Sequence, residues 1–94
     1  NLAALYYLMG EYTQALPLCE SALATQERVL GQEHPDVAQT LNNLGIVYLG
    51  MDQYNESAAY LKRALSIYEL KLGAEHPDTQ NTKRSLAAVL DKLK

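Results

Sequence analysis

The side chains best suited to metal binding or nucleophilic chemistry in this chain are two histidines and one cysteine. His34 and His76 are the only histidines, and Cys19 is the only cysteine, among the 94 residues. Imidazoles and a thiolate are zinc ligands, and a cysteine beside a histidine base is a nucleophile. Either chemistry requires these side chains to lie close together. The helices and connections that carry them therefore determine whether they have a chemical or a structural role.

Both histidines stand in the same short motif. The pattern Gly-x-Glu-His-Pro-Asp occupies residues 31–36 and again 73–78, and 73 minus 31 gives an offset of 42 residues. A fixed period of ~20–50 residues is the signature of stacked repeats. Glycine is favoured just after a helix and proline at its first position. We therefore predict that His34 and His76 cap helices rather than bind a metal.

The cysteine also has a structural interpretation. Cys19 lies on an apolar helical stripe, and Leu61 takes the same position 42 residues later. A thiol on such a stripe behaves as a small hydrophobic side chain. The chain has no glycine-rich phosphate loop, paired-cysteine metal site or Ser/His/Asp set. We therefore predict no enzymatic activity, no metal and no cofactor.

Composition narrows the classes of partner and location. The chain is 48% hydrophobic and 20% charged, which favours a folded protein. A net charge of −3 argues against nucleic-acid binding, and no apolar run reaches the ~20 residues of a membrane helix. A lone cysteine indicates a reducing compartment, so we expect a cytoplasmic protein. Because the chain begins at Asn1, we expect a fragment of a longer protein.

Apolar residues spaced three and four apart predict helices throughout the chain. The 42-residue offset divides it into a partial repeat at 1–30, a full repeat at 31–72 and a partial repeat at 73–94, which together form one domain. No strand is expected. The five predicted helices lie near residues 1–9, 12–30, 36–50, 54–71 and 77–92.

The same spacing predicts the buried faces. On the helix at 12–30 the inward residues are Leu16, Cys19, Leu23 and Leu30. In the full repeat, Gly45 should let another helix approach closely, because it has no side chain. Four side chains of that repeat are predicted to be buried: Leu44, Tyr48, Leu61 and Leu65.

The full repeat resembles the tetratricopeptide repeat, and the resemblance extends over the whole chain. The residues that carry it are Leu44, Gly45, Tyr48, Tyr54, Ser57, Leu61, Ala64 and Leu65. It implies an all-α, right-handed superhelix of antiparallel helix pairs, in which the first helices line a concave groove. The period of 42 rather than 34 residues, with Leu-Asn-Asn-Leu in the first helix, is similar to kinesin light chains. Asp52 replaces the usual turn glycine.

The resemblance assigns the second face of the first helices to the groove. Asn42, Ile46 and Leu49 lie off the inward stripe, and Gln39 precedes them by a turn. Tyr60 fits no stripe and is free for a partner. Asn43 alone matches a carboxylate-binding clamp, so no clamp is expected. The predicted partner-binding residues are Tyr7, Gln39, Asn42, Asn43, Ile46, Leu49, Asn81 and Arg84.

Two functional hypotheses follow. In the first, the chain is a non-enzymatic protein-interaction module, an adaptor or scaffold that holds a peptide or helix of a partner in its groove. An acidic residue of that partner would then lie near Arg84. In the second, it is a structural repeat segment that spaces or oligomerises a larger protein, and the groove residues are an ordinary solvated surface. Self-association through exposed terminal helices is expected in either case, because each repeat rests on its neighbours.

Overall fold

The computed structural model describes residues 12–94. Within that range the chain forms helices and no strand, and the predicted boundaries are confirmed to within one residue. The helix predicted at residues 1–9 lies outside the described residues. The four described helices are α1 (Tyr12–Leu30), α2 (Pro35–Gly50), α3 (Tyr54–Lys71) and α4 (Pro77–Lys92).

The repeated motif caps the helices on both of its sides. Gly31 and Gly73 follow α1 and α3 with φ angles of 90° and 88°, in the left-handed region that glycine favours. The imidazole Nδ1 atoms of His34 and His76 accept hydrogen bonds at 3.0 and 3.1 Å from the backbone N–H two residues later. A proline then takes the first helical position in each case. The predicted capping role of both histidines is confirmed.

The turn between α2 and α3 is built differently. Asp52, which stands where the repeat usually has glycine, has a φ angle of 61°. Aspartate tolerates this left-handed conformation better than most residues, since its short side chain can form local hydrogen bonds. Here its Oδ1 accepts a hydrogen bond of 3.0 Å from the Tyr54 hydroxyl, which opens α3.

The helices stack in chain order. Each helix packs against the next, and α2 also contacts α4. The main core lies between α2 and α3, where Leu41 packs on Ala64 and Tyr68. A second cluster joins α3 to α4 through Leu61, Leu86 and Val89. A third joins α1 to α2 through Cys19 and Leu44.

Part of the predicted core is wrong. Leu44 and Leu61 are fully buried as predicted, but Tyr48 and Leu65 are only half-buried. Tyr48 lies at the edge of its cluster and stacks on Tyr60 with ring centroids 5.5 Å apart. The stack is intramolecular, and Tyr60 is half-buried, so its contact with a partner stays a prediction.

Leu30 is also misassigned as an inward residue. Its side chain is 41% exposed. The reason is its place at the last position of α1, where it borders an open depression formed with the following connection and Lys71 of α3.

Thr79 gives a test of the core on α4. Its side chain is 1% exposed and its hydroxyl has no hydrogen-bond partner, while Val37 holds the same repeat position in α2. A buried, unsatisfied hydroxyl costs ~1–3 kcal/mol, and valine has nearly the same shape. We expect Thr79→Val to raise the free energy of unfolding by about 1 kcal/mol in urea titrations.

The matched control for this prediction is Thr40→Val. Thr40 is also buried, but its hydroxyl donates to Gln26 of α1, so its removal should bring no gain. An equal stabilisation by both substitutions would show that hydroxyl satisfaction is not the cause.

Candidate functional site

Helical geometry separates two directions on α2. Successive side chains turn by about 100°, so Gln39, Asn43 and Ile46 lie opposite the buried stripe of Leu41 and Leu44. Gln39 is exposed, and Asn43 and Ile46 are half-buried. We call this row, with its repeat counterparts Asn81, Ser85 and Ala88 on α4, the outer face.

Two predicted site residues have contacts with the other helices. The Oδ1 atom of Asn42 accepts a hydrogen bond of 3.3 Å from the hydroxyl of Thr82. Leu49 packs against the cluster that contains Leu86 and Val89 of α4. Asn42 therefore links α2 to α4, and Leu49 contributes to the core, in addition to any contact with a partner.

The predicted residues on α4 are exposed and paired with each other. An Nη1 hydrogen of Arg84 donates to Asn81 Oδ1 at 3.2 Å. Since guanidinium groups have five N–H donors, four donors of Arg84 remain. This part of the site therefore presents positive charge and hydrogen-bond donors.

The structure thus places seven of the eight predicted residues on two helices that contact each other. Tyr7 lies outside the described residues. Sequence reasoning missed Thr82, which is buried and contacts Asn42. Its repeat counterpart Thr40 was the available signal, because a threonine recurs at this position.

In the part of the chain that the structure describes, the cysteine is buried and the potential metal ligands are not clustered. Cys19 is 2% exposed. Burial is the larger cause that raises the pKa of its thiol, and the negative charge of Glu20 raises this pKa further. A raised pKa keeps the thiol protonated and weakly nucleophilic. No group of three or more His, Cys, Asp or Glu side chains suited to a metal ion occurs within residues 12–94. None of the helices in that range combines the length and apolar character needed to cross a bilayer.

A 42-residue period and helices stacked in chain order define a helical repeat protein. The family model described as "Tetratricopeptide repeat" matches residues 1–70, and the chain belongs to this family. Over 45 residues, or 48% of this chain, it is 42% identical to the human clustered mitochondria protein homolog. That match spans 3% of the relative's length.

These comparisons confirm the predicted family and the all-α repeat fold. The family is in general one of protein–protein interaction modules. The similarity to kinesin light chains stays a prediction.

Proposed function

We propose that this chain is an adaptor module that binds a segment of a protein partner on its outer face, the row of side chains that the family resemblance assigns to the concave groove. The observation that supports this is the exposure of one row of amide and apolar side chains across α2 and α4. Gln39 and Asn81 are exposed, and Asn43 and Ile46 are half-buried, so part of each side chain is open to solvent. A cytoplasmic location and the kinesin-light-chain-like subtype are part of the same proposal.

The chemistry of this row suits a peptide. A carboxamide both donates and accepts hydrogen bonds, so Gln39, Asn43 and Asn81 can pair with a backbone of any sequence. Ile46 supplies apolar contact between these amides. Arg84 next to Asn81 favours an acidic side chain in the partner.

One observation favours the alternative of a structural repeat segment. Asn42 and Leu49, which were predicted to bind a partner, already have contacts within the chain: Asn42 with Thr82 of α4, and Leu49 with the cluster that joins α3 to α4. Under this alternative, the outer face is a solvated surface. Self-association is proposed under either hypothesis, and the 40% and 41% exposure of Leu90 and Leu93 supports it.

A peptide-display experiment separates the two. The 94-residue chain is used to select from a random library of extended peptides, and enriched peptides are measured against variants by fluorescence anisotropy. We expect Ile46→Asp and Arg84→Glu each to weaken binding at least roughly 10-fold, the loss typical of a central contact. Leu49 is not used, because its substitution would disturb the apolar cluster that joins α3 to α4.

The control is Lys62→Ala on the exposed side of α3. It should bind like the unchanged chain. If the library yields no enriched peptide, or if Ile46→Asp binds the enriched peptides as tightly as the unchanged chain does, the structural alternative is favoured.

A further inference from the structure

We propose that Thr82 is a positioning residue that turns the amide group of Asn42 outward to donate a hydrogen bond to a backbone carbonyl of an extended peptide. This inference rests on the proposed function and names the partner group that the site recognises. It concerns the edge between α2 and α4, where the two residues meet.

The argument begins with the direction of the hydrogen bond. A threonine hydroxyl has one hydrogen, and that of Thr82 goes to Asn42 Oδ1 at 3.3 Å. Thr82 is 1% exposed, whereas Asn42 is half-buried. The Oδ1 atom of the planar carboxamide is therefore held toward the buried Thr82 hydroxyl, and the Nδ2 group is directed away from that bond.

The Nδ2 group then has hydrogens to offer. No described residue accepts a hydrogen bond from it. The bond from Thr82 occupies one of the two lone pairs of Oδ1, and both hydrogens of Nδ2 remain to be donated. Fixing the rotamer in advance also reduces the entropy lost on binding.

Asn81 repeats this arrangement on α4. Its Oδ1 accepts from Arg84, so its Nδ2 is likewise the arm left to donate. The edge formed by Asn42, Asn81 and Arg84 therefore presents donors and calls for acceptors in the partner. An α-helix uses most of its backbone carbonyls internally, while an extended peptide leaves them available. The partner chemistry that fits is an extended segment with free carbonyls.

The preceding repeat explains why Thr82 has this role. Its counterpart Thr40 donates to the side-chain oxygen of Gln26 on α1. The residue that corresponds to Gln26 in the next repeat is Tyr68, which has no carboxamide oxygen. The Thr82 hydroxyl bonds to Asn42 instead, so Thr40 offers a matched control away from this edge.

The test compares three variants of the 94-residue chain: Thr82→Val, Thr82→Ser and Thr40→Val. Nuclear magnetic resonance reports the Nδ2 hydrogens of Asn42, assigned by their loss in Asn42→Asp. We expect these hydrogens to become mobile in Thr82→Val and to stay ordered in Thr40→Val. Thr82→Ser, which retains the hydroxyl, should restore the ordered signal.

Affinity is measured with a peptide enriched by the unchanged chain in the display selection. Thr82→Val should weaken binding about 2- to 10-fold, the effect of one hydrogen bond, and Thr82→Ser should not. In an Asn42→Ala background, Thr82→Val should add no further loss. Non-additivity distinguishes positioning of Asn42 from a general structural role, which would give additive losses.

Three results would overturn the inference: an unchanged Asn42 amide signal in Thr82→Val, unchanged affinity, or additive losses. If Ile46→Asp still abolishes binding in those cases, the proposed function stands without the role of Thr82. If the unchanged chain enriches no peptide, both the role of Thr82 and the proposed function are overturned.

Discussion

Leu61→Ala is expected to lower the free energy of unfolding by ~2–5 kcal/mol, the usual range for a fully buried leucine. Leu61 has no exposed surface and contacts both neighbouring helices. It lies against Gly45 of α2 and packs in one cluster with Leu86 and Val89 of α4. Truncating it opens a cavity between three helices at once. Since small domains are stable by only ~5–15 kcal/mol, much of the folding free energy would be lost.

The matched control is Leu65→Ala, one turn further along α3. Leu65 borders the same cluster but is half-buried, so the removed atoms leave less of a cavity. We expect less than half of the Leu61 loss in urea titrations followed by circular dichroism. Equal losses would mean that the two side chains are buried to the same extent in solution.

This pair shows how far periodicity can predict the core. Residues 61 and 65 are about 40° apart on a helix, so both fall on one apolar stripe. How much of that stripe is covered depends on where α4 crosses α3, and the local sequence does not specify that crossing. The helix boundaries were predictable because Gly31, Gly73 and the two His-Pro pairs mark them chemically.

The candidate site was predictable to a similar extent. The repeat offset identified the helices and the side of each that faces away from the core. It did not separate Gln39, Asn43 and Ile46 from Asn42, which contacts α4. That distinction depends on a bond between residues 40 positions apart, Thr82 and Asn42. Helical spacing within one element carries no information about such a contact.

The second large effect is expected at Gly45, where α2 and α3 meet most closely. A Cβ atom added there would lie 2.6 Å from Leu61 Cγ and 3.3 Å from the backbone oxygen of Ser57. The approach is fixed by the Ser57 hydroxyl, which donates to the Gly45 carbonyl at 2.6 Å. This confirms the close helix approach that the sequence predicted at this glycine.

We expect Gly45→Ala to destabilise the fold by up to about 3 kcal/mol, the upper part of the range for overpacking. The gain in helix propensity, about 1 kcal/mol, offsets only part of this strain. Gly50→Ala is the control. Its Cβ would meet the ring of Tyr12 at 2.5 Å, but those atoms are the far end of a side chain rather than backbone, and Gly50 is exposed. It should therefore cost much less.

The repeat itself supplies the compensating change. Where the full repeat has Gly45 and Leu61, the preceding repeat has Ala3 and Cys19. A cysteine is short enough to leave room for the alanine methyl group. The double variant Gly45→Ala with Leu61→Cys should therefore be more stable than the sum of the two single losses predicts, with a coupling of about 1 kcal/mol. Additive losses in urea titrations would show that contact with Leu61 is not what restricts position 45 to glycine.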